Sequence, residues 1–360
     1  MNILIPALTS ILGLVFAVAL LDQWRERRGG FQLVWAIGML FYGVAAGCEA
    51  IGEAAGWNDL LFRGWFAFGV ATPAWLGLGT AFLLNRTRFG YTYAALLGLG
   101  ALLGFVTRAR YTDAGLVPVT LLFAGLGLAL AIGVETYFAN ERWPWLGTAG
   151  VAIATVAVVI LSTPLAIQPG QLEAAESLTE RSVFMPGSAR VLTPVLTVTG
   201  GLALVLGAVF STYVFMPKRR VLPYSLDPNQ PGDQFLFNLF IAPVAILVNL
   251  AASLPGAARA LLTGRIHSRV PATILIALGA FLPTWTDSFD QWAAVGRLAG
   301  VVLLFAGFLV SIEVFREIRI PFTSFRLATA RHERAGVTVA ADTTSSRAGS
   351  GGEAAGHVGK

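Results

Sequence analysis

Glu49, Glu53 and Arg63 are the ionisable residues of this sequence best placed to do chemistry. The two carboxylates stand at the end of one apolar stretch, and the arginine stands at the start of the next, across a short polar turn. On a helix advancing 100° per residue, Trp35, Tyr42, Glu49 and Glu53 share one stripe, at spacings of seven, seven and four. Ionisable groups at membrane depth are costly, so they face a bundle interior or a water-filled cavity, often paired. The pattern predicts an outward-facing pocket lined by Trp35, Tyr42, Glu49, Glu53 and Arg63, with Arg63 partnering a carboxylate and a small polar or cationic ligand inside. A second account needs no ligand: Glu53 and Arg63 lie at headgroup level, and Glu49 is salt-bridged to fix the hairpin. Gly43 and Gly47, on roughly the opposite side, form a small-xxx-small pair that lets another helix approach closely.

Further candidates lie elsewhere. Trp57 precedes Arg63 by six residues and Trp292 precedes Arg297 by five, each at the entrance to an apolar stretch. Asp287 and Asp290 accompany the second pair as Asn58 and Asp59 accompany the first, a pattern an internal repeat would produce. Glu135 ends another stretch with no charged neighbour at 133, 134 or 136. Glu173, Glu176 and Glu180 share a helical face in a polar segment that reads as a solvated connection or a short amphipathic helix.

The elements that must hold these residues are membrane helices. Of 360 residues 56% are hydrophobic and only 12% charged, against roughly 25% charged in soluble domains. Apolar stretches of spanning length run over 3–21, 31–52, 61–84, 91–107, 117–138, 146–167, 191–215, 270–285 and 293–314. The fold expected is an all-α, polytopic transmembrane bundle of about nine spans. Residues 1–325 form it, and 326–360, rich in Ser, Gly and Ala, form a disordered cytoplasmic tail. The segment 235–262 carries Asn238, Pro243 and Asn249 and precedes Arg265 and Arg269, so it reads as interfacial or re-entrant, while a full crossing would make ten spans. Arg25, Arg27, Arg28, Arg86, Arg88 and Arg219 then mark cytoplasmic loops. The N-terminus is expected outside and the C-terminus inside a bacterial cytoplasmic membrane, although Arg108 and Arg110 leave the 91–138 hairpin the least constrained.

Several classes of function are disfavoured. The net charge of +5 clusters between spans, a topology signal that leaves nucleic acid without a footprint. Histidines occur only at 267, 332 and 357, outside the spans, and lysines only at 218 and 360, so axial haem ligands and a retinal Schiff base lack their residues. Cys48 is the single cysteine, which rules out an internal disulfide. GxSxG, HExxH and phosphate-binding glycine loops are missing. No cofactor is expected.

Three segments carry a resemblance. LVWAIGMLFYG, GWNDLLFRGWFAFG and PAWLGLGTAFLL within 31–88, SARVLTPVLTVTGGLALVLGAVFS at 188–211 and LLFAGFLVS at 303–311 resemble a widespread bacterial family of uncharacterised polytopic membrane proteins. The 31–90 hairpin is also similar to the seven-helix sensory modules of some histidine kinases, with no kinase, cyclase or PAS-like domain after the last span. The resulting expectation is a non-enzymatic sensor-like or accessory subunit with a small external polar pocket. The alternative is a small-solute or ion transporter that uses the Glu/Arg cluster. Membrane lipids are the expected partners, with another membrane protein or a second copy as further candidates.

Overall fold

A computed structural model describes residues 3–111, 113–163, 169–174, 178–216, 219, 221–225, 231–262, 269–286, 290–311, 317–319 and 326–329. In hydrocarbon every backbone N–H and C=O must be satisfied within the chain, and helices achieve this. In order these are α1 (Leu4–Arg27), α2 (Gly30–Ala55), α3 (Asp59–Leu83), α4 (Phe89–Val106), α5 (Val117–Tyr137), α6 (Trp143–Ser162), the short α7 (Pro169–Ala174), α8 (Leu178–Arg181) and α9 (Gly187–Arg190), then α10 (Leu192–Phe215), α11 (Gly232–Leu262), α12 (Arg269–Thr286) and α13 (Asp290–Val310). Among the described residues nine helical stretches are long and apolar enough to cross a membrane, Gly232–Arg259 of α11 among them, whereas Val270–Pro283, within the span expected at 270–285, is a shorter apolar helix. The expected all-α polytopic bundle is the architecture found. Near the C-terminus β1 (Glu317–Arg319) pairs antiparallel with β2 (Arg326–Thr329), and the rest of the expected tail lies outside the described residues.

Local chemistry sets the boundaries. The Asn58 side chain accepts the Leu61 N–H at 2.9 Å and so caps α3. Pro118 and Pro144 occupy the first turns of α5 and α6, where a missing N–H costs nothing. Gly56, at φ 92, ends α2 in a conformation that a side chain would strain.

Lipid tails are as apolar as leucine, so helix association depends on close packing rather than on hydrophobic burial. The expected small-residue face of α2 meets α1, where Gly13 abuts Gly43 and Ser10 Oγ donates to the Gly43 carbonyl at 2.8 Å. Gly77 of α3 and Gly200 of α10 touch so closely that a Cβ at 77 would stand 2.2 Å from the Gly200 oxygen. Gly100 and Gly104 of α4 meet α10, and Gly279 of α12 meets Gly300 of α13. One core centres on α3, α4, α6 and α10; a second joins α1, α2, α10, α12 and α13.

These contacts define two ends. Arg25, Arg27, Arg28, Arg86 and Arg88 share one of them, the Arg88 end, with the start of α4 and the end of α10, which meet at Phe89 and Phe210. Glu49, Glu53, Arg63, Arg108 and Arg110 lie at the other, the Glu49 end. The segment expected at 235–262 is one helix, α11, of 31 residues. Its Phe235 packs on Tyr91 and Tyr137, while its Asn249 side chain binds the backbone of Val221 and Leu222 and its Ala257 packs with Tyr213 and Met216. All these partners belong to the Arg88 end. Phe235 and Ala257 are separated by ~33 Å of helix, more than the hydrocarbon thickness of ~30 Å, so α11 runs across that end instead of along the bundle axis.

Candidate functional site

The stripe on α2 is its contact line with α13. Trp35 is 1% exposed, its indole N–H donates to the Leu76 carbonyl at 3.0 Å, and its ring meets Phe308 edge-on at 4.5 Å. Two turns on, the Tyr42 hydroxyl donates to the Arg297 carbonyl at 2.8 Å. Two turns further, Arg297 Nη2 donates to Glu49 Oε1 at 2.8 Å, in a pair that is largely buried. Trp35 therefore lines no common pocket with Glu49. It lies roughly 21 Å away along α2, inside an aromatic core with Phe16, Phe305 and Phe308.

Glu53 turns to a different neighbour. Its Oε1 accepts from Arg181 Nη1 at 2.7 Å and from Trp57 Nε1 at 2.9 Å. The same guanidinium donates through Nε to the Leu172 carbonyl at 2.9 Å and lies 4.9 Å over the Trp57 ring. Arg63 forms its ion pair with Asp59, one turn back on α3, at 2.8 Å. The carboxylates thus find their arginines on α13 and α8, and not at the position that sequence proximity favoured.

Depth explains the choice and was a usable signal. Glu49 lies six residues before the end of α2 and Arg297 seven residues after the start of α13, so antiparallel packing brings them level about two turns inside the bundle. A buried charge at that level needs an opposite charge at the same level. Arg181 had no such signal, because it sits in a connecting segment. That segment, α7 to α9, forms a strap. Leu172 and Met185 insert into the core, Gly187 N–H donates to Asp113 at 2.7 Å, and Arg190 stacks on Tyr111 at 4.7 Å. Glu180 is exposed, as a solvated face requires, and Glu176 lies outside the described residues.

The other candidates divide. Arg297 joins the site as partner of Glu49. Glu135 is half-buried at the Arg88 end, where its carboxylate accepts from the Asn140 side chain and its carbonyl from the Asn140 N–H, which closes the turn after α5. Asp290 opens α13, and Asp287 lies outside the described residues. The two halves of the tryptophan echo differ in use: Trp57 is 4% exposed and bonds Glu53, whereas Trp292 is 57% exposed. Among the described residues no group of three or more His, Cys, Asp or Glu side chains assembles.

Every charged residue on a described span lies within about two turns of a helix end. The middle is filled by Phe41, Phe68 and Trp75, the last donating to Thr155 at 3.1 Å. Helices of this length and composition, in this arrangement, define a multi-pass integral membrane protein. No family model, curated protein or solved structure matches the chain.

Proposed function

We propose that this chain is a non-enzymatic, sensor-like or accessory subunit of a bacterial cytoplasmic membrane, and that its Glu49 end, on the outer side, receives the signal. The observation that carries the reading is the Glu49–Arg297 pair, which joins the first hairpin to the last across 248 residues. A small cation competing for Glu49, or an anion competing for Arg297, would change how those hairpins sit. Charges placed to clasp helices at one end, with an aromatic midplane, suit a reporter of occupancy better than a carrier. The arginines of the opposite end support its placement in the cytoplasm. The resemblance of 31–90 to kinase sensory modules agrees with this reading.

The test is thermal unfolding of the purified protein against cations, amino acids and small anions, in wild type, Glu49→Gln and Arg297→Ala. A ligand at 100 times its Kd adds about 2.7 kcal/mol to the wild type and nothing to a variant that has lost the site. If no compound stabilises the wild type and both variants only melt earlier, the pair is purely structural and the reading fails. Uptake of a stabilising compound into liposomes would instead assign the transporter role.

A further inference from the structure

We propose that α11 is an in-plane lipid-binding helix, whose free face is covered by the acyl chains of the surrounding bilayer near the headgroup boundary at the Arg88 end. Three observations converge on it. Both halves of the helix contact the same end of the bundle, so α11 lies flat against that end. Its polarity is turned inside out: the buried Asn249 and Ser253 face the bundle and bind the backbone at 219, 221 and 222. The opposite face presents Phe237, Phe240, Val244, Leu247 and Leu254, all exposed, with Phe240 at 79%.

Charge identifies the occupant. Between Asp233 and Arg259 the helix carries no charged residue, which over ~39 Å leaves no face suited to water. An interfacial helix with one side in solvent carries a charged side, and α11 has none. The free face also continues the apolar surface of the bundle rim, because Phe235 rests on Tyr137 of α5, beside the exposed Phe138, Val134 and Leu130. Hydrocarbon fits such a surface, and Asp233 and Arg259 at the two ends reach headgroups.

Spin labels decide it in the full chain reconstituted into phosphatidylcholine and phosphatidylglycerol vesicles. In a Cys48→Ala background, labels are placed through Phe240→Cys and Leu247→Cys, with Phe123→Cys on α5 as the lipid-facing reference; Val244→Cys replaces either site should that variant unfold. Relaxation by oxygen, which partitions into lipid, is compared with relaxation by a water-soluble nickel chelate. Oxygen is expected to dominate at both positions, and their depths to agree within about 3 Å, although they lie ~10 Å apart along the axis. Nickel dominance would put the face in water, and protection from both reagents would put another protein or a second copy on it. A depth difference near ~10 Å would make α11 a crossing helix. Any of these three results overturns the proposal.

Discussion

Removing Arg297 is the sharpest perturbation the structure offers. Its guanidinium is the partner of a glutamate that is 6% exposed, two turns inside the bundle. Arg297→Ala leaves that carboxylate in a low-dielectric site, and breaking a buried pair in this way costs about 3–5 kcal/mol. The double variant Glu49→Leu/Arg297→Met removes both charges while keeping side-chain volume, and apolar replacement of a buried pair is often neutral or stabilising. The double variant should therefore be more stable than Arg297→Ala alone, with a coupling of about 0.5–3 kcal/mol across the cycle built from Glu49→Leu, Arg297→Met and their combination. Arg86→Ala is the control, because the Arg86–Glu141 pair is exposed on both sides and worth about 0–1 kcal/mol. Thermal or denaturant unfolding in detergent reads wild type, Glu49→Leu, Arg297→Met, the double variant, Arg297→Ala and Arg86→Ala. If Arg297→Ala costs no more than Arg86→Ala, or if the double variant loses the sum of its single losses, the argument that the pair clasps the two hairpins is wrong.

Three further outcomes follow from the packing. Gln32 is fully buried, and neither atom of its amide has a partner among the described residues, so Gln32→Leu should raise stability by about 1–3 kcal/mol in the same unfolding assay. Gly77→Ala should destabilise by about 1–3 kcal/mol, since its Cβ meets the Gly200 backbone, whereas Gly127→Ala, with nothing within 4 Å, should be neutral or slightly stabilising. Arg181→Ala releases the strap from Glu53, Trp57 and Leu172, and limited proteolysis of the 163–190 region should accelerate while overall unfolding shifts less than in Arg297→Ala.

Hydropathy made the helices readable because lipid imposes length and composition on each span separately. The stretch expected at 31–52 is Gly30–Ala55, and the one expected at 117–138 is Val117–Tyr137. The small-residue motif was readable for a similar reason, since Gly43 and Gly47 have one physical use in an apolar helix. Partner choice was harder. Arg63 is ten residues from Glu53 and Arg297 is 248 from Glu49, and nearness in sequence drew attention to the first while depth selected the second. Trp35 shared a stripe with Glu49, but a stripe records direction and not level, so a core tryptophan and a buried carboxylate read as one pocket wall. The strap was invisible because its contacts through Leu172, Arg181 and Gly187 depend on tertiary placement, and the carboxylate spacing at 173, 176 and 180 signals only a solvated face.

The clasp between the first and last hairpins also bears on how the molecule is made. Glu49 leaves the ribosome 248 residues before its arginine does, and at synthesis rates of 5–20 residues per second that interval is roughly 12–50 s. Throughout it the first hairpin holds a carboxylate two turns from the end of an apolar helix with its final cation not yet translated. Until Arg297 arrives at its level, proximity to the bilayer surface or protonation keeps the cost of the carboxylate low. Emergence of α13 then supplies the partner at depth, so closure of the Glu49–Arg297 clasp waits on the synthesis of α13.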